Sequence, residues 1–581
     1  MPTLNWIGKK AVENHHRQVP FRLLKDVPEL SAGDSDTGNL ILEGDNLVAL
    51  KALLPYYAGQ VKCIYIDPPY NTGNENWVYN DNVTSPEMKE WLGKVVGKEN
   101  DDLCRHDKWL CMMYSRLSLL RKLLSEDGII FISIGRDELS NLTALCDEIF
   151  DRRNQIEILI WNTHGHTENQ EDITGVHEYV LLYAKDKNKA KIRTIVDPSV
   201  PGDSKIRRDF AENSITKNGP KNPASIINLP IGFPCEVASL EMRPLETFTA
   251  FKEEVEKKGF INRELTTKFD VKYPVRQDFM SVSGNRLTKE CRVYSGWMSA
   301  DKLRDFIKEG CAPIDDEGTK LSFYLSKNGV VYYRREGRKS HYVQSVLTEL
   351  GTTETNKYML EAMGVNFDYP KPVELITYLC SLYTNSDDIV LDAFAGSGTT
   401  GHAVLQLNKQ DTTNRKFILV EMDQTIARSI TSVRVKRVIS GYKNSKNETI
   451  AGLGGGFRYC QLADPLFDEK GNIRSTVRFH DLARHVFFTE TGAPLPKGAK
   501  ANSPLIGLYN DTAIYLLYNG ILKDKAPDGG NVLTTAILAH LPKHAGPKVV
   551  YGNACRIGQT RLNRENITFK QLPYKLKVGA L

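Results

Sequence analysis

The sequence predicts an α/β fold on a Rossmann-like sheet interrupted by a long insertion, and three strand-and-turn segments predict it. The apolar run Val61, Lys62, Cys63, Ile64, Tyr65, Ile66 ends abruptly in Asp67, Pro68, Pro69, Tyr70. More than 300 residues later, Ile389, Val390 and Leu391 run into Asp392, Ala393, Phe394, Ala395, Gly396, Ser397, Gly398, Thr399, Thr400, followed by a helical pattern from Gly401 through Ala403, Val404 and Leu407. A third run, Phe417 to Val420, ends in Glu421. Each delivers a polar or glycine turn at the carboxyl end of a strand, which is where open α/β sheets hold their ligands.

In the first segment the prolines force the chain out of its sheet, because proline donates no backbone hydrogen bond and restricts the residue before it. The stiff turn presents a carboxylate and an aromatic ring, which suit a flat, amino-bearing ring. In the second, glycines let a backbone approach a nucleotide-like ligand closely. Gly401 follows Gly398 by three residues, so this loop taken alone leaves a dehydrogenase-type site open. In the third, Glu421 stands about where a carboxylate takes ribose hydroxyls.

The remaining elements follow in chain order. Residues 1–36, with Trp6, Ile7, Gly8, Lys9, His15 and His16, read as an N-terminal arm whose histidines are surface groups. Leu40 to Leu42 form a strand ending in Glu43, Gly44, Asp45, Asn46 before a helix over Leu47 to Leu54, so Asp45 is either a helix cap or a ligand group. Asn71 to Asn82 has no periodicity and reads as a loop over the site, with Trp77 and Tyr79 either touching a ligand or packing beneath it. Trp109, Leu110, Met113, Leu117, Leu120 and Leu124 have helical spacing, with Gly128 as the stop before a strand over Ile129 to Ile134. Ile156 to Trp161 is another strand, and His177, Glu178 and Tyr179 open the run Val180 to Tyr183. His177 is a structural histidine or a general base. Within residues 186–345, Arg334, Arg335, Arg338 and Lys339 lie among tyrosines, which suits phosphate and base contact, with a solvated hairpin as the alternative. Lys371 and Pro372 lead into a helix over Leu375 to Leu382. Gly452 to Gly456 lacks a preceding strand in this reading and is a flexible turn. The rest, through Val549, Val550, Tyr551 and Phe569, reads as a small α/β domain.

Bulk properties bound the class. The 581 residues allow two to four domains, and 41% hydrophobic with 25% charged residues describes an ordinary globular chain. There is no long apolar stretch and no signal pattern, so a cytoplasmic location without a membrane span is expected. Ten cysteines form no CxxC pair, so neither a zinc site nor a disulfide framework is expected. The net charge of +5 hides an asymmetry: residues 186–345 carry 29 basic against 22 acidic groups and residues 444–581 carry 18 against 10, leaving −10 for the rest. A polyanion is therefore gripped by those two regions, unless the charge is simply solvated on all faces.

The segment IYIDPPYNTG resembles the catalytic motif of the amino-group DNA methyltransferases in its adenine-N6 form, and Asp392-x-Phe394-x-Gly396-x-Gly398 resembles their cofactor motif. The catalytic motif comes first, as in the permuted β group, and the opening and layout are similar to the modification (Mod) subunits of type III restriction-modification systems. The resemblance implies a class I methyltransferase sheet: a catalytic half at 37–185, an inserted target-recognition domain at 186–345 and a cofactor half at 346–443. A C-terminal domain at 444–581 would serve dimer or partner contact. It also implies that Tyr70 stacks on a flipped adenine while Asp67 and the Pro68 carbonyl, in a turn completed by Pro69, accept the N6 hydrogens. S-adenosylmethionine would lie among Asp45, Lys371, Pro372, Asp392, Phe394, Gly396, Gly398 and Glu421. The implied partners are double-stranded DNA, a second copy of the chain and a helicase-nuclease restriction subunit. A solitary adenine methyltransferase and a non-catalytic recognition subunit stay open, as do cytosine-N4 and protein-glutamine relatives, which usually carry Ser or Asn in place of Asp67.

Overall fold

The apolar runs pair into one eleven-stranded sheet. In chain order its strands are β1 (Arg22–Asp26), β2 (Ala32–Gly33), β3 (Leu40–Glu43), β4 (Val61–Ile66), β5 (Leu124–Ile134), β6 (Gln155–Asn162), β7 (His177–Ala184), β8 (Val346–Leu347), β9 (Ile389–Asp392), β10 (Lys416–Glu421) and β11 (Gly456–Pro465). This is a computed structural model, and it describes residues 4–34, 37–72, 102–163, 175–271, 275–337, 341–444, 446–496, 503–518 and 530–573. The chain divides into two compact units, residues 1–193 with 344–581, and residues 194–343.

The strand order is β1-β11-β3-β10-β9-β4-β5-β7-β6-β8, with β2 also on β11. From β11 to β5 every neighbour is parallel, while β7 runs antiparallel to both β5 and β6. Strands covered on both faces read as unbroken apolar runs, and β4 is buried along its whole length. The decisive pairing is β9 on β4, with Leu391 opposite Ile64. From β9 the chain steps to β10 on one side; from β4 it steps to β5 on the other. The two turns read from the sequence therefore share the switch point of the sheet.

Helices α1 (Asn46–Tyr57) and α2 (Asp102–Leu123) cover one face, packing Leu50, Leu53, Trp109, Met113, Leu117 and Leu120 with Ile64, Ile66, Ile130 and Ile132. Helices α3 (Val373–Tyr383) and α4 (Thr399–Asp411) pack on each other and on the sheet centre. A side chain at Gly401 would meet Leu419 and Val435 at 3.0 and 3.3 Å, so only glycine lets α4 lie this close to β10.

Several expectations are corrected here. Strand β5 starts at Leu124, and Gly128 is not a helix stop; it lies inside the strand, where a Cβ would meet the Val61 carbonyl at 2.9 Å. The N-terminal segment is no free arm: Trp6, Val12 and Val19 are buried in the main core, His16 is buried too, and β1 pairs with β11. The strand Thr449–Ala451 precedes the 452–456 glycines, and a Cβ on Gly456 would strike the Asp34 backbone at 2.2 Å. That stretch is a close crossing of two chain segments, not a flexible turn. Residues 456–465 complete the main sheet, so the expected boundary at 444 falls too early. Beyond them, strands Leu505–Tyr509, Thr512–Leu516, Lys548–Gly552 and Ile567–Gln571 form a four-stranded sheet whose core includes Leu482, Val486, Phe487 and Tyr551. Residues 194–343 build small antiparallel sheets around Phe233, Trp297, Phe306 and Phe323. Among the described residues no helix is long and apolar enough to cross a membrane, and no cluster of His, Cys, Asp and Glu is arranged to hold a metal.

Candidate active site

The turn after β4 is fixed from several sides. Trp109 on α2 donates its indole N–H to the Pro69 carbonyl at 2.8 Å. Asn71, directly after Tyr70, has a left-handed φ of 57° and is buried, and its side chain donates to Glu138. Glu138 is itself fully buried, meets His106 Nδ1 at 2.6 Å and accepts from Asn141 at 2.8 Å. A Cβ at Gly135 would stand 3.1 Å from the Tyr70 ring, so the bare backbone there sets how the ring lies. An acceptor and an aromatic plane are thus held before any ligand arrives, which is the arrangement that lowers the cost of positioning a substrate.

Four side chains from three separate segments meet at this turn. Lys371 Nζ lies 2.8 Å from Asp67 Oδ2 and 3.5 Å from Glu178 Oε2, and 4.9 Å from the centre of the Tyr70 ring. The Tyr70 hydroxyl donates to Glu178 Oε2 at 2.7 Å. Asp67 Oδ1 is buried with no hydrogen-bond partner among the described residues. Burial pushes the Asp67 carboxyl above its ordinary range, and Lys371 opposes that rise. For Lys371, burial alone would lower the pKa, but the Asp67 and Glu178 carboxylates outweigh it and hold the amine charged. Burial and the same two carboxylates raise Tyr70, which stays a neutral donor.

The neighbouring turn after β9 has its own scaffold. Asp392 is buried; Oδ1 accepts from the Phe394 N–H at 2.9 Å and Oδ2 from the Thr400 hydroxyl at 2.6 Å. Burial lifts its pKa to about 7 against those two donors, and the Asp67 and Glu421 charges add to the rise. Gly396 and Gly398 take φ of 49° and 80°, a region that favours glycine, and the Gly396 N–H donates to Glu421 Oε2 at 2.8 Å. The other Glu421 oxygen accepts from the Asp423 N–H at 2.9 Å. Beneath the turn, the wholly buried Arg434 donates through Nη1 to the Ser397 and Thr399 hydroxyls, each at 2.7 Å, and burial lowers its pKa to about 9. The Asn46 side-chain amide donates to the Ala393 carbonyl at 3.3 Å, tying the turn after β3 to this one.

The sequence-predicted residues separate into those that meet and those that do not. Asp67 to Tyr70, Lys371, Asp392, Phe394, Gly396, Gly398 and Glu421 line one stretch of the sheet edge. Asp45 caps α1, accepting from the Val48 N–H at 3.0 Å, and Pro372 is the residue before α3. Arg334 pairs with Glu212 at 3.2 Å and stacks on Phe210, while Arg335 pairs with Asp316; both sit in the strand Val331–Glu336 of the 194–343 unit. Arg338, Lys339, Trp77 and Tyr79 lie outside the described residues. His177 is exposed and meets only the Tyr179 hydroxyl, at 3.0 Å, in the described contacts. The residue that sequence reading passed over is Glu178. Because β7 is antiparallel, its amino end lies beside the carboxyl ends of its parallel neighbours, with Tyr179 opposite Ile134. An acidic residue opening such an apolar run was the available signal.

Comparison with known proteins agrees with this geometry. Residues 61–432 match the DNA methylase family that comprises N6 and N4 methyltransferases. The Mod subunit of the type III restriction-modification enzyme EcoPI, from Escherichia phage P1, is 30% identical over 530 residues, covering 84% of this chain and 74% of its own. The EcoP15I Mod subunit from Escherichia coli is 27% identical over 531 residues, with the same two coverages. The type II methyltransferase M.KpnI from Klebsiella pneumoniae is 26% identical over 446 residues, covering 74% of this chain and 90% of its own. With both motifs intact at the switch point of the sheet, the chain belongs to the N6/N4 DNA methylase family and is an S-adenosylmethionine-dependent DNA methyltransferase.

Proposed function

We propose that the chain methylates N6 of an adenine flipped out of double-stranded DNA, as the modification subunit of a type III-like restriction-modification system. The observation that carries the chemistry is Asp67: a buried carboxylate oxygen without a partner among the described residues, in the same turn as the Tyr70 ring. An adenine amino group is a poor nucleophile because its lone pair is delocalised into the ring. Acceptors for its two hydrogens favour a pyramidal nitrogen and stabilise the positive charge that develops on it. In this reading Asp67 and the Pro68 carbonyl are those acceptors, and Tyr70 offers the stacking face for a base that has left its helix at a cost of a few kcal/mol. S-adenosylmethionine, when bound, supplies the electrophilic methyl. The glycine turn at 396–398 fits a ligand lying against bare backbone, Asp392 suits its ammonium and Glu421 its ribose hydroxyls.

Two predictions test the cofactor assignments. Glu421→Ala should weaken S-adenosylmethionine binding about tenfold, because it removes charge-assisted hydrogen bonds and loosens the Gly396 N–H; an unchanged affinity by calorimetry moves the ribose role elsewhere. Asp392, with a pKa of about 7, attracts an ammonium only when ionised. Cofactor affinity should therefore fall as pH drops below 7, by up to roughly tenfold per pH unit, and the dependence should vanish in Asp392→Asn.

Kinship with Mod subunits supports the type III-like role. In it, residues 194–343 choose the target sequence, the C-terminal region contacts a second copy or a restriction subunit, and the protein works in the cytoplasm. The whole reading is tested by single-molecule sequencing of DNA from cells expressing the chain or its Asp67→Ala form. Methyl-adenine in one sequence context, absent from the variant, is the expected result. Methyl-cytosine there overturns the choice of base, and an unmodified genome overturns catalysis.

A further inference from the structure

Around Asp67 two carboxylates share one ammonium. Lys371 sits 2.8 Å from Asp67 and 3.5 Å from Glu178, with its side chain only 12% exposed. Lys371 occupies Asp67 Oδ2 and draws on the charge of the carboxylate, while Oδ1 has no partner among the described residues. Sending the ammonium into water would strip a half-buried carboxylate of its counter-charge, which is costly. Glu178, whose Oε2 lies 3.5 Å from the same ammonium and accepts from the Tyr70 hydroxyl, offers another seat within the same cluster.

We infer that Glu178 is a positioning residue that receives the Lys371 ammonium when the target amino group arrives at Asp67, and so frees Asp67 to hold that group. The inference rests on the reading of Asp67 as the amino-group acceptor. Lys371 is then a placeholder on Oδ2: its positive charge weakens the carboxylate as an acceptor until the target amino group arrives at the open Oδ1, and the net charge of the cluster does not change when the ammonium moves to Glu178. No bond is made or broken in this step. Because Glu178 also anchors the Tyr70 hydroxyl at 2.7 Å, the ring that stacks on the base and the seat that takes the ammonium are held by one carboxylate. Without the Glu178 charge, Lys371 has Asp67 as its sole anionic partner among the described residues and should hold it more tightly.

The test is Glu178→Gln, which keeps the size of the side chain and an acceptor for the Tyr70 hydroxyl but removes the anionic seat. On a duplex carrying the recognition site that sequencing reveals, kcat should fall about 10- to 100-fold, as for loss of a charge-assisted contact, with KM for DNA and cofactor affinity within a few-fold of the parent. Glu178→Asp should recover part of the loss, and Tyr70→Phe should cost only a few-fold. Parent-like kcat in Glu178→Gln overturns the inference. So does a Tyr70→Phe loss as large as that of Glu178→Gln, which would make Glu178 only an anchor for the hydroxyl. Asp67→Ala assayed in parallel separates the two failures: persistent methylation there removes the reading of Asp67 itself, whereas loss there beside an unaffected Glu178→Gln overturns the role of Glu178 alone.

Discussion

Asp67→Ala should lower methyl transfer by about three orders of magnitude or more while leaving S-adenosylmethionine affinity within a few-fold of the parent. Removing one preorganised polar group aimed at developing charge typically costs about 10²–10³ in rate, and here the same substitution also removes the nearer of the two carboxylates that hold Lys371. The cofactor turn should survive, because its hydrogen bonds run among Asp392, Thr400, Phe394, Gly396 and Glu421 without using Asp67. The Asp67 charge helps to raise the Asp392 pKa, so its removal should ease ionisation of Asp392 and, if anything, tighten cofactor binding near neutral pH. Calorimetry for binding and methyl-group incorporation for rate check the two halves separately. Retained methylation refutes the assignment, and lost cofactor binding would mean that the variant has disturbed the turn.

Tyr70→Ala and Tyr70→Phe should part company. Base–aromatic stacking is worth about 1–3 kcal/mol per base, so the alanine variant should lose roughly 5- to 150-fold in activity. The phenylalanine variant keeps the ring and gives up one hydrogen bond to Glu178 that does not touch the base, so its loss should stay within a few-fold. Gly135 behind the ring leaves its position unchanged in Phe and opens a gap in Ala. Steady-state kinetics on one DNA substrate decide the matter: equal losses in the two variants mean that the ring face is not what the reaction uses.

Much of this site was legible in the chain because its information is local. A proline pair after six apolar residues ends a strand wherever it occurs, and glycines at positive φ announce a turn that approaches a ligand. What joined the two motifs was not local. Nothing in residues 61–70 or 389–398 alone says that β4 and β9 are neighbours; only their shared chemistry did. Glu178 was missed for a related reason, since its value depends on β7 running against its neighbours, a property of the assembled sheet. The helix stop read at Gly128 failed because a glycine needed for close strand packing looks, in sequence, like one needed for a cap. The arginines at 334 and 335 illustrate the limit of composition: basic residues among tyrosines suggested DNA, yet Glu212 and Asp316, distant in sequence, already pair with them.

The pairing of β1 with β11 sets a schedule for synthesis. Arg22 donates to the Ala463 carbonyl across 441 positions of sequence, and ribosomes add about 5–20 residues per second. The first strand to emerge must therefore wait on the order of half a minute or more for its partner to be made. During that interval its backbone groups lack their final partners. Truncation anywhere before residue 456 would make the wait permanent, leaving an unpaired edge at β3 as well. Productive expression should accordingly be more sensitive to chaperone supply and growth temperature than a sheet of this size built from consecutive strands would be.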